Sequence, residues 1–305
     1  MRKSIIFPGQ GSQYVGMGLD FFRNFKEAKD VYLEVDDVLN YNLSKIIFEG
    51  SVADINLTAN TQPAIMATGV AIFKVLKKNI DLKINDFSFC AGHSLGEYTA
   101  LVCSEALSLK EASLILKARG NAMQNAVKPG DGGMAAILGA EVVDIENFLS
   151  QTNFYTIEIS NDNCPGQVVI SGEKNEIDRC CQEIKNKILK KSLPLPVSAP
   201  FHCKLMIPAS ENIKNLILDS QLNDPKIPLV SNVNALETSD SNIIKNLLVD
   251  QIYKRVRWRE TMEYMFNHQV TEFVEIGPGK TLTGMLKRFK KEVLLKNFSS
   301  IEDLG

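Results

Sequence analysis

The stretch FSFCAGHSLGEYTALVCSEAL, residues 87–107, decides the fold of this chain. Its apolar run from Phe87 to Ala91 predicts a buried strand, and the glycines of GHSLG, residues 92–96, predict a tight turn. The segment from Glu97 to Leu107 has few polar faces and therefore predicts a buried helix. A strand, a glycine turn and a helix in this order are typical of one unit of a parallel sheet.

The same pattern occurs near both ends of the chain. Near the start, the apolar run from Ser4 to Phe7 precedes the turn-forming residues PGQG, 8–11. Near the end, Thr271 to Ile276 precedes GPG, residues 277–279, and a helical pattern that runs to about Phe289. Three such units predict an α/β fold with an α/β-hydrolase-like core, in which helices cover a parallel sheet.

The middle of the chain carries a different pattern. Strands are predicted at Met134–Leu138, Tyr155–Ser160, Gln167–Ser171 and Ser192–Val197, and helices at Glu141–Gln151 and Asn175–Leu189. The resulting order, βαββαβ, is that of a ferredoxin-like domain. We therefore expect a small ferredoxin-like domain at residues 127–198, inserted between the two parts of a large α/β domain, residues 1–126 and 199–305.

Composition and charge exclude several classes of protein. The chain has 305 residues, 45% of them apolar, and a net charge of −2, so we expect a globular protein that binds no nucleic acid. The apolar run Ile5 to Phe7 is far too short for a signal peptide or a membrane span, so we expect a cytoplasmic protein that binds no membrane. The six cysteines form no C-x-x-C pair, which predicts reduced and mostly buried thiols.

Residues 92–96 also fit the pattern G-x-S-x-G, in which a serine stands exposed at a sharp turn between a strand and a helix. The free N–H groups and the positive dipole end of that helix can stabilise the oxyanion that forms when an acyl carbonyl is attacked. We therefore interpret Ser94 as a nucleophile. The alternative is an ordinary glycine-rich turn.

A serine nucleophile needs a neighbouring base, and histidine is the usual one. Of the three histidines, His93 would project in another direction from the turn, and His268 lies in a polar stretch typical of the surface. His202 remains, in the proline-bent segment SAPFHC, residues 198–203, and we interpret it as the base. Cys203 is a rival nucleophile, but adjacent side chains on extended backbone point to opposite sides, which favours core packing for Cys203.

Arg119 lies on the apolar stripe of a predicted helix. The stripe consists of Ala112, Ile115, Leu116, Ala122 and Met123. A guanidinium cannot lose its charge, so burial there requires an anionic partner. That partner is either a carboxylate of the core or the carboxylate of a substrate, and a third alternative is an arginine that reaches solvent.

Taken together, the chain resembles the malonyl-CoA:acyl carrier protein transacylases over essentially its full length. The matching blocks are FPGQGSQ at 7–13, GHSLGEY at 92–98, RGNAMQ at 119–124, GQVVISG at 166–172, PFHC at 200–203 and EIGPGKTL at 275–282. Their order and spacing are far more specific than any single motif. Asn121 departs from the family, which often has a bulky apolar residue there.

The resemblance implies a role for each matching residue. Ser94 would be the acylated nucleophile, His202 its base, and Arg119 the bidentate partner of the malonyl carboxylate. The backbone N–H groups of Gln10 and Leu95 would form the oxyanion hole.

Two more residues receive roles from the same resemblance. Gln251 would orient His202 through its backbone carbonyl, so that the family uses a Ser-His dyad where hydrolases add an acid. Phe201, directly before the histidine, is similar to malonyl-selective members of the wider acyltransferase family. It therefore favours malonyl over methylmalonyl.

The implied reaction is a ping-pong transfer that feeds fatty acid synthesis. Malonyl-CoA is the donor substrate rather than a cofactor, and the acceptor is the phosphopantetheine thiol of acyl carrier protein. We expect a monomer that needs no cofactor and no metal. The alternatives are a free-standing acyltransferase that serves a polyketide synthase, and a serine hydrolase, which the serine turn alone would equally support.

Acyl carrier proteins are typically acidic, so basic clusters on the chain are candidates for a docking face. The clusters are Arg255, Arg257 and Arg259, and Lys287, Arg288, Lys290 and Lys291. The alternative is an ordinary solvated surface.

Overall fold

Two sheets organise the computed structural model, which describes residues 2–188, 190–197, 199–289 and 291–304. The larger, six-stranded sheet has the order β10-β9-β1-β2-β7-β8. Its strands are β1 (Arg2–Phe7), β2 (Phe89–Gly92), β7 (Leu229–Val230), β8 (Glu237–Thr238), β9 (Val270–Ile276) and β10 (Leu294–Phe298). Strands β1, β2, β7, β9 and β10 pair in parallel, and β8 is an antiparallel edge. The predicted α/β fold with a parallel sheet is therefore confirmed.

Helices cover the larger sheet. They are α1 (Leu19–Asn24), α2 (Lys26–Leu39), α3 (Leu43–Glu49), α4 (Val52–Asn56), α5 (Thr58–Asn79), α6 (Gly96–Cys103), α7 (Leu109–Gln124), α10 (Ile207–Leu218), α11 (Ser241–Gln251), α12 (Trp258–Asn267) and α13 (Thr281–Leu286). Helix α5 is buried on every side from Thr58 to Phe73, as a helix in the centre of a large core must be. Among the described helices, none combines the length and the apolar character needed to cross a membrane.

The second sheet is antiparallel and lies in the middle of the chain. Its four strands have the order β4-β5-β3-β6, with β3 at Gly132–Leu138, β4 at Glu158–Cys164, β5 at Gln167–Glu173 and β6 at Lys191–Pro194. Helices α8 (Val142–Ser150) and α9 (Lys174–Lys187) pack on this sheet through an apolar cluster of its own.

The predicted bounds of strand β4 were wrong. The strand was expected at Tyr155–Ser160 and is found at Glu158–Cys164, so it includes the polar residues Asn161, Asp162 and Asn163. Tertiary contacts stabilise these polar side chains within a strand. Asp162 pairs with Arg259 at 2.8 Å, and Asn163 contacts His93. Two predicted residues of this region, Leu189 and Ser198, lie outside the described residues.

Candidate active site

Ser94 stands at a sharp turn between strand β2 and helix α6. Its backbone φ of +52° lies in the left-handed region, which is costly for a residue with a side chain. The flanking glycines make the turn possible. A Cβ on Gly92 would lie 1.9 Å from the carbonyl carbon of Gly96, and a Cβ on Gly96 would lie 2.3 Å from the carbonyl oxygen of Phe7. The local sequence therefore forces the serine to the edge of the sheet.

His202 lies against this serine. Its Nε2 is 2.8 Å from Ser94 Oγ, and its Nδ1 is 2.8 Å from the backbone carbonyl oxygen of Gln251. Because a carbonyl only accepts, Nδ1 carries the hydrogen and Nε2 is free to accept the serine proton. Burial, reinforced by the charge of Arg119, lowers the pKa of His202 to about 3, so the imidazole is neutral at physiological pH.

The other two histidines lie elsewhere. His93 Nε2 contacts Asn163 Oδ1 at 2.9 Å. The partly buried His268 stacks on the Tyr264 ring at 4.0 Å between centroids. Cys203 is fully buried, with Sγ 3.1 Å from the carbonyl oxygen of Pro200.

The premise that set Cys203 aside was partly wrong. The backbone at His202 is left-handed rather than extended, with φ at +58°. Burial raises the pKa of the Cys203 thiol, which leaves it in the unreactive form. The thiol therefore packs in the core for a reason other than the one used in the prediction.

Arg119 is almost completely buried, with 1% of its surface exposed. Its Nη1 donates to Gln62 Oε1 at 2.8 Å, and its Nη2 donates to Gln251 Oε1 at 2.9 Å and to Ser94 Oγ at 3.1 Å. Among the described residues, no carboxylate oxygen lies within 4.0 Å of the guanidinium. The arginine neither reaches solvent nor forms an ion pair with a carboxylate among the described residues, so two of the three alternatives raised by the sequence are excluded.

The residues expected to form an oxyanion hole have unused donors. Neither the Gln10 N–H nor the Leu95 N–H donates to another residue within the described ranges. Leu95 directly precedes helix α6, whose first turn receives no side-chain cap. Backbone N–H groups at an uncapped helix start are suited to bind a developing negative charge.

A cavity of about 520 Å³ opens in front of these groups. One wall carries Gln10, Ser94, His202, Arg119 and Phe201. The opposite wall comes from the four-stranded antiparallel sheet and the segment after it, and is mostly apolar: Met134, Ala136, Val169, Leu195 and Val197. A cavity with one charged group beside a nucleophile and an apolar opposite wall suits an elongated acyl thioester with an anionic end.

Sequence reasoning missed four side-chain contributions: Gln62, Glu97, Asn232 and the side-chain amide of Gln251. Gln62 holds Arg119, as described above. Asn232 Oδ1 accepts the Ser94 N–H at 2.7 Å, and Gln251 Nε2 donates to the Ser94 carbonyl at 2.9 Å. The one available signal was Glu97, an acidic residue in an otherwise apolar helix.

The candidate docking arginines are largely neutralised. Arg255 pairs with Glu146 at 2.8 Å, Arg257 with Glu260 at 2.9 Å, and Arg259 with Asp162. Their positive charges are therefore offset by carboxylates of the same chain. Lys290, in the second cluster, lies outside the described residues.

A serine at a strand-to-helix turn, in hydrogen-bond contact with a neutral histidine, is typical of α/β proteins that carry acyl groups on serine. Residues 5–303 match the family described as the acyl transferase domain. The chain belongs to this family.

Relatives and solved structures agree with the family. The malonyl CoA-acyl carrier protein transacylase of Bacillus subtilis is 39% identical over 295 residues, which cover 95% of this chain and 91% of the relative. The crystal structure of the acyl-carrier-protein S-malonyltransferase from Bartonella henselae is 41% identical with a TM-score of 0.94, covering 100% of this chain and 97% of the other. A malonyl-transacylase solved in complex with its type II PKS acyl-carrier protein is 36% identical with a TM-score of 0.93, covering 100% and 98%.

Proposed function

We propose that the protein transfers a malonyl group from malonyl-CoA to the phosphopantetheine thiol of acyl carrier protein, through an ester on Ser94, and so feeds fatty acid synthesis. One observation carries the choice of acyl group. A buried arginine without a carboxylate partner donates to the oxygen of the nucleophile, with Arg119 Nη2 3.1 Å from Ser94 Oγ. A free carboxylate on the substrate would complete this site.

The first half reaction loads the serine. His202 Nε2 takes the Ser94 hydroxyl proton as Oγ attacks the thioester carbonyl carbon. The N–H groups of Gln10 and Leu95 bind the oxyanion, and removing one such donor generally costs about 3–4 kcal/mol in the transition state. Collapse of the intermediate breaks the C–S bond, and the proton on His202 passes to the departing thiolate of coenzyme A.

The second half reaction runs the same steps in reverse with a new thiol. The phosphopantetheine thiol gives its proton to His202, and its sulfur attacks the carbonyl carbon of the malonyl ester. The same two N–H groups bind the oxyanion of this intermediate. Its collapse breaks the C–O bond to Ser94, and the proton on His202 returns to Ser94 Oγ. Besides Ser94 and His202, only the two thiols and the acyl group take part in these steps, so the proposed chemistry calls for no cofactor.

Specificity for malonyl rests on Arg119 and Phe201. The guanidinium binds the malonyl carboxylate in a bidentate pair and places the thioester carbonyl over Ser94. Phe201 is 7% exposed and lines the cavity together with His202, which supports the expectation that it favours malonyl over methylmalonyl. The Gln251 carbonyl keeps His202 in its productive tautomer.

The domain arrangement belongs to the same proposal. Residues 127–198 form a ferredoxin-like insertion between the parts 1–126 and 199–305 of the α/β domain. The order β3-α8-β4-β5-α9-β6, the antiparallel sheet and the separate apolar cluster support this division. The insertion supplies the apolar wall of the cavity. We propose a cytoplasmic monomer.

A carrier protein of polyketide synthesis is a second candidate acceptor. The observation that favours it is the likeness to the transacylase solved with a type II PKS carrier. The chemistry on this chain is the same for both acceptors. Parallel assays with carriers of the two kinds distinguish them by their kcat/KM values.

The proposal is tested by intact mass measurement after mixing the protein with malonyl-, methylmalonyl- or acetyl-CoA. A malonyl adduct that maps to Ser94 and forms faster than the other two adducts is the expected result. Absence of a malonyl adduct, or equal rates with acetyl-CoA, would reject it.

A further inference from the structure

A buried carboxyl lies directly behind the nucleophile. Glu97 of helix α6 is fully buried, and no Lys, Arg or His nitrogen among the described residues lies within 4.0 Å of its oxygens. Its two oxygens instead accept hydrogen bonds from two different residues: the backbone N–H of Asn232 and the side-chain Nε2 of Gln251. The buried acid is therefore satisfied by amide donors rather than by an ion pair.

Both amide residues hold the backbone of the nucleophile. Asn232 accepts the Ser94 N–H and donates to the Gly92 carbonyl at 2.8 Å, while Gln251 donates to the Ser94 carbonyl. Ser94 is in the left-handed conformation, so these contacts keep the residue in a backbone state that it would otherwise leave. Glu97 fixes Asn232 and Gln251 from behind.

Gln251 also connects the carboxyl to the other two functional residues. Its backbone carbonyl accepts from His202 Nδ1, and its side-chain Oε1 accepts from Arg119 Nη2. With Nε2 donating to both Ser94 and Glu97, the side-chain amide of Gln251 is locked in one orientation. The amide cannot flip, because a flip would turn its NH₂ group toward the guanidinium.

We infer that Glu97 is a positioning residue for the acyl transfer, which acts through Gln251 and Asn232 to align Ser94, His202 and Arg119. The inference rests on the proposed function. The acid that hydrolases place directly on the catalytic histidine is here one residue removed, because Gln251 stands between Glu97 and His202. Burial raises the pKa of Glu97, while the N–H donors of Asn232 and Gln251 and the charge of Arg119 oppose that rise by stabilising the carboxylate form, in which both oxygens accept.

The substitution Glu97→Gln tests this role. It keeps the size of the side chain but places an NH₂ group against one of the two N–H donors, so one link breaks. We expect kcat for malonyl transfer to fall roughly 10- to 100-fold. The ratio of kcat/KM for malonyl-CoA over acetyl-CoA should fall roughly tenfold, because only malonyl uses Arg119. An unchanged ratio would overturn the inference.

Glu275→Gln is the matched control. Glu275 is also buried, at 1% exposed, and its oxygens accept the N–H groups of Leu282 at 3.0 Å and Thr283 at 2.7 Å. This variant should lower the melting temperature as Glu97→Gln does, but it should leave the malonyl-to-acetyl ratio unchanged. If the malonyl-to-acetyl ratio falls in both variants, the effect comes from general destabilisation, and a positioning role for Glu97 is rejected.

Gln251→Met supplies a second route if Glu97→Gln does not fold. It keeps the backbone carbonyl for His202 and removes the side-chain amide. The ratio of kcat/KM for malonyl-CoA over acetyl-CoA should fall as it does in Glu97→Gln. In the double variant, which combines both substitutions, this ratio should be no lower than in Gln251→Met alone. An unchanged ratio in Gln251→Met, or additive losses, would contradict action through Gln251. Failure of the proposed function is separate, since the wild type would then form no malonyl adduct.

Discussion

Two turns at the same edge of the larger sheet each lead into the N-terminal end of a helix, but they treat the N–H groups there differently. The nucleophile turn, residues 92–96, joins β2 to α6, and the capped turn, residues 277–281, joins β9 to α13. In the capped turn, the carboxylate of Glu275 accepts the first N–H groups of α13. In the nucleophile turn, α6 has no side-chain cap and the Leu95 N–H has no acceptor among the described residues.

The difference lies in where the acidic residue stands. Glu275 belongs to the strand and points into the start of the helix, which satisfies the donors there. Glu97 belongs to the helix and points back toward Asn232 and Gln251. The N–H groups of Gly96 and Glu97 donate to carbonyls of the turn itself, and the Leu95 N–H is left without an acceptor among the described residues. A strand, a glycine turn and a helix therefore define only a scaffold. A site for an acyl oxyanion also requires backbone N–H donors at the turn that have no acceptor within the chain.

Removing the nucleophile should have the largest effect. Ser94→Ala deletes the only group of the nucleophile turn that can form the ester, so malonyl transfer should fall by at least about 10⁴-fold. Intact mass after mixing with malonyl-CoA should show no adduct. An adduct of wild-type yield would mean that another residue carries the acyl group.

Arg119 should have the next largest effect. Arg119→Gln removes the buried cation beside the nucleophile turn, and kcat/KM for malonyl-CoA should fall roughly 100-fold or more, with much smaller losses for acetyl-CoA. Lys117→Gln is the control, because Lys117 is a half-buried cation of the same helix that contacts Tyr41 and Asn60 rather than the cavity. Equal losses for both acyl groups in Arg119→Gln would reject its role.

One glycine of the nucleophile turn and one glycine of helix α13 should respond oppositely to substitution by alanine. Gly92→Ala forces the Cβ into the backbone of Gly96 and should lower the free energy of unfolding by about 1–3 kcal/mol. Gly284→Ala, on the exposed side of α13 with open space around the new Cβ, should raise it by about 0.5–1 kcal/mol. Urea denaturation measures both. A neutral Gly92→Ala would contradict the tight packing of the nucleophile turn.

Lowering the pH from 7 to 5 should have the smallest effect on activity. Because burial and Arg119 hold the pKa of His202 at about 3, the base stays neutral as the pH falls from 7 to 5. The profile of kcat/KM for acetyl-CoA should therefore be flat over this range. An inflection near the ordinary histidine value of about 6.5 would show that the pair of Ser94 and His202 is open to solvent.

Local patterns predicted the scaffold of the fold and the nucleophile turn. Gly92 and Gly96 indicate the sharp turn because their backbone contacts exclude a Cβ, and this requirement is readable in the sequence. The sequence predicted His202 as the base by elimination among the three histidines. The structure places it 2.8 Å from Ser94 across 108 positions of sequence.

The amide network could not be predicted in the same way. Glutamine and asparagine occur throughout the chain, and the contacts of Asn232 and Gln251 with Ser94 join positions 138 and 157 residues apart. The bounds of β4 were missed for a related reason, since Asn161 to Asn163 resemble a turn until Arg259 and His93 are brought against them. Polar residues whose partners are distant in the sequence do not follow the local patterns that predict strands and turns, so these patterns could not reveal them.

The most direct test is the discharge of isolated malonyl-enzyme in a single turnover, with and without excess carrier protein that bears phosphopantetheine. Transfer through Ser94 predicts that the adduct is stable in buffer and that its malonyl group moves rapidly to the carrier thiol. Loss of the adduct at the same rate with and without carrier, with free malonate as the product, would contradict acyl transfer and identify a hydrolase.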